Sequence, residues 1–270
     1  MMTKKDGHVH TPFCPHGTKD TLDMYIEQAI KEGFTDLTFT EHAPLPKGFI
    51  DPTPMRDSAM DYSLMEAYIQ SVQKSKDEYK NDIQIHIGLE IDYIKDYEQE
   101  ITDFLNEYGK FLDDSILSVH FLKINDKFFC MDFDEKTFGL MIHEAGSLYT
   151  LHSIYYTEVL QSIYSQLGVY KPKRIGHITL VNKFQRLYPA TFSNLNMIEK
   201  ILSSVKEQNL ELDYNVAGLR KEYCGETYPN SEIITLAQKQ KIPLIYGSDA
   251  HSARDVGKNY THYDLLSNRD

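Results

Sequence analysis

Short runs of apolar and β-branched residues alternate along this chain with longer stretches whose apolar positions recur at helical spacing. The short runs cover 6–10, 36–40, 83–91, 115–121, 174–178, 210–214 and 243–247. Each reads as a strand by length and side-chain type. Helical patterns fill the intervals at 21–32, 63–80, 96–108, 153–166, 193–207 and 231–241. In the first of these, Leu22, Tyr25, Ile26 and Ala29 share one face, and Asp20 or Thr21 is placed to cap it. Seven strands separated by helices predict an α/β fold, a distorted TIM-like (β/α)7 barrel with one strand fewer than the eight-stranded form. A doubly wound open sheet is the competing architecture, but no GxGxxG follows the first run.

Two connections are long. Residues 43–62 are rich in proline and read as irregular. Residues 121–152 read as a small hairpin around Asn125–Asp126 followed by a short helix. No internal repeat or low-complexity segment is visible, so residues 1–270 are expected to form a single domain.

Composition narrows the function. The chain is 41% hydrophobic, and no apolar run reaches the length needed to span a bilayer. Residues 1–6 are polar and lack the apolar core of a signal peptide, so a cytoplasmic protein is expected. Three cysteines, Cys14, Cys130 and Cys224, are too few and too scattered for a disulfide framework or a zinc ribbon. The formal charge of −12 disfavours nucleic acid as a partner. A small anionic substrate would need bound cations to attract it.

Those cations have candidate ligands. His8 and His10 are two apart at the end of the first run and face the same side. Glu41 and His42 follow the second run, Glu90 lies in the third, His120 ends the fourth, His177 the fifth, and Asp249 and His251 follow the seventh. His16 lies on the loop after the first run. In a barrel the C-terminal strand ends converge on one mouth, so these nine donors (His8, His10, His16, His42, Glu90, His120, His177, Asp249 and His251) would crowd one space. A single buried histidine is more often a satisfied core residue. Six strand ends each carrying a ligand-type residue argue otherwise. Imidazole and carboxylate donors without thiolate suit zinc, manganese or iron. Nine donors exceed one ion's needs, so two or three divalent ions are expected, with Glu90 as the bridge.

The segments GHVHTPFCPHGT, FTEH, GLEID, SVHF, IGHI and GSDAH resemble, in this order and across nearly the whole chain, the PHP (polymerase and histidinol phosphatase) family. HTPFCPHG is similar to the histidinol-phosphatase branch. The resemblance implies a trinuclear cluster, with His8, His10, Glu90 and Asp249 on one ion, Glu90, His120 and His177 on a second, and His16, His42 and His251 on a third. It implies hydrolysis of a phosphate monoester, L-histidinol phosphate, in histidine biosynthesis, through metal-activated hydroxide. Glu90, Asp249 and His10 are then the residues expected to carry the chemistry. A nuclease of the same family and a non-catalytic metal-binding module are the alternatives.

Arg220, on the loop after the sixth run, is the first choice to hold phosphate oxygens, with Arg186 and Lys123 behind it. Glu41, Asp132, Tyr155 and Tyr156 are candidates for the imidazole and ammonium; His143 and His152, in the long fourth connection, are read as helix-surface or capping positions, with a substrate-facing role as the alternative. His86 reads as structural, His262 as a tail residue, and Cys14 as loop packing, since no phosphate-cradling loop follows it.

Overall fold

The computed structural model describes residues 3–267. The strands are β1 (Lys5–Val9), β2 (Asp36–His42), β3 (Gln84–Asp92), β4 (Ile116–Ser118), β5 (Phe121–Ile124), β6 (Lys127–Cys130), β7 (Arg174–Ile175), β8 (Glu211–Asn215) and β9 (Leu244–Gly247). Seven of them form one parallel sheet in the order β1-β2-β3-β4-β7-β8-β9, and β5 pairs with β6 as a separate antiparallel hairpin. The sheet curls until its edges meet. The Asp249 amide donates to the His8 carbonyl at 2.8 Å, and the His10 amide to the Ala250 carbonyl at 3.0 Å. The result is a nearly closed barrel of seven strands, as the run count predicts.

Helices cover the outside: α1 (Leu22–Lys31), α2 (Met65–Glu78), α3 (Glu98–Tyr108), α4 (Glu135–Ala145), α5 (Leu148–Tyr164), α6 (Leu195–Glu207), α7 (Ser231–Lys239) and α8 (Tyr260–Ser267). In α1 the Thr21 side chain caps the Met24 amide, and Tyr25, Ile26 and Ala29 are buried. The predicted hairpin is present, with Asn125 and Asp126 both at positive φ (49° and 60°), as a tight two-residue turn requires. Differences cluster where the chain changes direction. α5 starts before residue 153 because Ser147 accepts from the Thr150 amide and founds the helix there. β2 runs on to His42, and the Ala43 amide continues the ladder to the Glu90 carbonyl at 2.9 Å. β4 and β7 are shorter than their apolar runs. After Ile175 one more ladder bond forms, Gly176 amide to Leu117 carbonyl at 2.9 Å, and His177 then opens a 3-10 turn through its carbonyl's bond from the Leu180 amide. α8 was not expected, and His262, expected in a tail, lies on it with Nδ1 2.7 Å from the Tyr214 hydroxyl.

The opposite end of the barrel is held by charge. Arg174, 1% exposed, donates to the Gly7 carbonyl at 2.6 Å and pairs with Asp114, which Lys5 also reaches at 2.7 Å. The two cations overcome the effect of burial and lower the Asp114 carboxyl to about 2.

Candidate metal centre

At the C-terminal ends of the strands the side chains converge on Glu90, itself 1% exposed. Its two oxygens face different neighbours. Oε1 accepts from Ser118 Oγ at 2.7 Å, and lies 2.8 Å from His177 Nε2 and 3.7 Å from His120 Nε2. Oε2 lies 3.4 Å from His8 Nε2, 3.6 Å from His10 Nε2 and 3.2 Å from His42 Nδ1. Asp249 Oδ1 completes this side at 3.2 Å from His10 Nε2, 3.4 Å from His251 Nδ1 and 3.9 Å from His8 Nε2. Asp249 is held at φ 52°, a left-handed conformation that aspartate tolerates better than most residues and that turns its carboxylate inward.

The donor set fits divalent cations. His8 Nε2, His10 Nε2 and His42 Nδ1 are fully buried yet make no hydrogen bond. They stand near carboxylate oxygens without aligning on them, as ligands around a shared centre do. An uncompensated buried imidazole nitrogen is costly, and a cation removes that cost. Three tight groupings occur among the described residues, each with ligand atoms within 4.8 Å of one another: His8, His10 and Asp249; Glu90, His120 and His177; and His10, His42 and His251 with Cys14. His16 stands just outside the last. Its ring centroid is 5.1 Å from those of His42 and His251, and its Nδ1 is 2.9 Å from the Asp57 carbonyl. All nine predicted donors therefore meet at one mouth. The donor types and their placement make this a site for divalent metal.

A second layer orients the first. His8 Nδ1 is 2.8 Å from Asp213 Oδ2, His120 Nδ1 is 2.7 Å from Asp92 Oδ1, and His10 Nδ1 is 3.5 Å from Glu41 Oε1. Each contact puts the ring proton on Nδ1 and turns Nε2 toward the centre. Asn215 donates to Asp249 Oδ2 at 3.0 Å. Two glycines make room for this layer. A Cβ at Gly247 would collide with Asp213 and His8, and one at Gly176 would collide with Ser118 Oγ.

Burial and charge oppose each other throughout. Burial disfavours protonated His8, yet Asp213, Glu90 and Asp249 outweigh it and hold His8 well above its usual range. In the same contest His10 is raised to about 9, mainly by Asp249 and Glu41, and His120 to about 10, mainly by Asp92 and Glu90. Burial and the neighbouring cationic His10 push His42 and His251 well below theirs. Burial would raise Glu90, but the imidazoles of His8 and His120 keep it well below the usual carboxylate range. The thiol of Cys14 is pushed up, first by burial and then by Glu41.

A cavity of about 680 Å³ opens over the cluster. Arg220 lines it, with Nη2 on the Ser248 carbonyl at 2.7 Å and a buried Nη1 that has no partner. Lys183, Lys221, Arg254 and Lys258 join it on the cavity wall. Arg186 and Lys123, expected beside Arg220, are not brought there. Arg186 donates to the Glu222 carbonyl at 2.7 Å and lines a different cavity, because the segment carrying it folds down against the loop at 222–225. Lys123 sits on the hairpin and is neutralised by Asp96 at 2.9 Å. Of the candidates for the organic half of a substrate, only Asp132 lines the cavity, bound to Lys183 at 2.9 Å. Glu41 is consumed by His10 and Thr11, Tyr155 donates to the His177 carbonyl at 3.1 Å, and Tyr156 and His152 line the other cavity. His143 lies in the last turn of α4, and His86 Nε2 is 3.5 Å from Asp36.

Sequence reasoning missed Asp92, Asp213, Ser118 and Asn215. The signal was present in the alternation of strand residues. Asp92 is two residues beyond Glu90, and Asp213 and Asn215 share a face of β8. A carboxylate on the inward face of a barrel strand has to be paired with something.

Comparison with known proteins agrees with this geometry. The model of the PHP domain matches residues 6–217, and that of the PHP-associated region matches 227–269. A histidinol-phosphatase of Bacillus subtilis is 51% identical over 261 residues, 96% of this chain and 97% of that protein. A solved structure from Listeria monocytogenes, assigned as histidinol phosphatase hisK, superposes with a TM-score of 0.93 at 40% identity, covering 96% of this chain and 100% of that one. The histidinol phosphate phosphatase of Lactococcus lactis, crystallised with zinc, L-histidinol and phosphate, shares the fold with a TM-score of 0.71 at 19% identity, over 98% of this chain and 94% of its own. The match of the PHP model over most of the chain, and the identity to the Bacillus subtilis protein, place this chain in the PHP family.

Proposed function

We propose that this protein is a metal-dependent phosphoric monoester hydrolase that converts L-histidinol phosphate to L-histidinol and phosphate, a step in forming histidine. The observation that carries this reading is the 51% identity to a histidinol-phosphatase along almost the whole of both chains, in a chain whose imidazole and carboxylate donors converge at one mouth. We assign His8, His10, Glu90 and Asp249 to one ion, Glu90, His120 and His177 to a second, and His16, His42 and His251 to a third. Zinc, manganese and iron all suit these donors.

Bound divalent ions supply Lewis acidity toward phosphoryl oxygens and ease the ionisation of water near neutral pH. The chain's own residues do the rest. Glu90 offers one oxygen to each half of the cluster. Asp213, Asp92 and Glu41 hold three imidazoles so that no reorganisation is needed during turnover. Arg220 lines the cavity, its guanidinium anchored on the Ser248 carbonyl, and we assign it to the phosphate group as a cation suited to that anion. Asp132 gives the cavity a carboxylate for the cationic half of the substrate. A cytoplasmic location belongs to the same proposal, since Cys14, Cys130 and Cys224 are buried and unpaired.

The test is phosphate release from L-histidinol phosphate by metal-analysed enzyme, beside a generic aryl phosphate and a single-stranded oligonucleotide. A strong preference for histidinol phosphate, lost on chelation, is the expected result. Comparable turnover of the oligonucleotide would favour a nuclease, and no turnover by loaded enzyme would favour a binding module.

A further inference from the structure

The connection between β2 and α2 is tied at two points to the third ligand set. The Met60 amide donates to the carbonyl of His42 at 3.3 Å, and the Asp57 carbonyl stands 2.9 Å from His16 Nδ1. A carbonyl oxygen only accepts. The contact therefore puts the His16 ring proton on Nδ1 and leaves the Nε2 lone pair free, which is the tautomer a ligand through Nε2 needs.

What holds that carbonyl is Asp51, 8% exposed. Its carboxylate accepts four hydrogen bonds: from Thr53 N and Oγ1 at 2.8 Å each, and from Ser58 N and Oγ at 3.0 Å each. The Ser58 amide and the Asp57 carbonyl belong to one planar peptide group. Asp51 grips the N–H edge of that plane while His16 meets the C=O edge. The carboxylate thus sets the direction of the carbonyl and, through its charge, strengthens it as an acceptor.

This matters because the site offers two candidates for the same role. The Cys14 sulfur lies with the His10, His42 and His251 nitrogens, ligand atoms within 4.8 Å of one another, whereas His16 comes from the exposed loop. We infer that Asp51 is a positioning residue for the third ion: through the Asp57–Ser58 peptide it fixes the tautomer and orientation of His16, so that imidazole and not thiol completes the set. The inference rests on the metal-dependent reading above.

The experiment compares wild type, Asp51→Asn, His16→Ala and Cys14→Ser. Zinc per chain is measured by elemental analysis across a chelator-buffered titration. The His16 tautomer is read by nitrogen NMR of the imidazoles in metal-free protein, and folding by circular dichroism. Wild type should bind three ions and show His16 protonated on Nδ1. Asp51→Asn, which turns an NH2 or a neutral oxygen toward the Ser58 amide, should weaken one ion by about 10–100-fold, leave two unchanged and mix the tautomers. His16→Ala should lose the same ion, and Cys14→Ser should lose none. Three equally tight ions and an unchanged tautomer in Asp51→Asn overturn the inference and leave the hydrolase reading standing. Equal weakening of all three ions overturns it in favour of a general structural role, as does loss of the third ion in Cys14→Ser. A wild type with no third ion removes both this inference and the trinuclear assignment. Asp51→Ser, which keeps one acceptor, serves the same comparison if Asp51→Asn does not fold.

Discussion

Asp213 Oδ2 on β8 meets His8 Nδ1 on β1 at 2.8 Å, both side chains fully buried. The pair spans a gap that exists because residue 247 on the intervening β9 is glycine. Asp213→Asn keeps the shape but loses the charge that favours an Nδ1 proton. Zinc affinity at the subsite of His8 is expected to fall by about 10–100-fold, with the secondary structure unchanged. A chelator-competition titration measures it, and unaltered affinity would mean that Asp213 only fills space.

Among the described residues, Glu90 is the one carboxylate that faces both His120 and His177 on one side and His8, His10 and His42 on the other. Glu90→Gln is expected to cost at least two ions per chain and to lower turnover by ~100-fold or more, beyond what an outer partner contributes. Elemental analysis and phosphate release on the same sample check it. Full metal content with full activity would rule out Glu90 as the bridge.

Arg220→Ala should lower kcat/KM for histidinol phosphate by about 10–100-fold, as loss of a hydrogen bond between charged groups costs about 1.5–3 kcal/mol. Arg186→Ala and Lys123→Ala, whose cations are engaged elsewhere, should stay near wild type. Equal losses in all three would show that net charge, not the position of Arg220, governs the rate.

Metal uptake should release protons. In the metal-free protein the surrounding carboxylates outweigh burial and raise His10 to about 9 and His120 to about 10, so both are expected to be cationic at neutral pH and to lose a proton on binding. Apparent zinc affinity should therefore rise with pH and level off near these values. Calorimetry in buffers of different ionisation enthalpy counts the protons. The sign for stability is the reverse. Raised histidines stabilise the metal-free fold fully below about 6.5, the unfolded value, and that contribution is lost as pH climbs through 9 to 10. Metal-free unfolding midpoints that do not fall over this window would contradict the charge assignment.

Arg174→Leu leaves Asp114 with Lys5 and the Thr38 hydroxyl and takes the guanidinium donor from the Gly7 carbonyl. A loss of about 1–3 kcal/mol is expected, since a buried charged donor is removed while Asp114 keeps its other partners. Denaturant unfolding gives the value. Activity of the folded fraction should survive, because this end of the barrel is remote from the mouth.

The alternation of runs in the sequence carried the barrel, because strands buried on both faces are written as apolar segments and the helices between them as stripes. The ligand set was legible for a related reason. A histidine or carboxylate closing an apolar run has few fates other than the mouth. The fourth connection was less legible, since the start of α5 depends on Ser147, and a serine in a polar stretch has many uses. Arg186 and Lys123 illustrate the limit for cations. A long flexible side chain near the right strand end reaches whichever acceptor folding brings close, here the Glu222 carbonyl and Asp96, and no spacing rule encodes that choice.

The barrel closes where the Asp249 amide meets the His8 carbonyl, and this junction sets the order in which the site comes into being. During translation the histidines of β1 leave the ribosome early, but Asp249 and His251 follow only after every other ligand has been made. The full ligand set exists only once the last strand has closed on the first, so tight metal capture is expected to follow barrel closure and not to seed it.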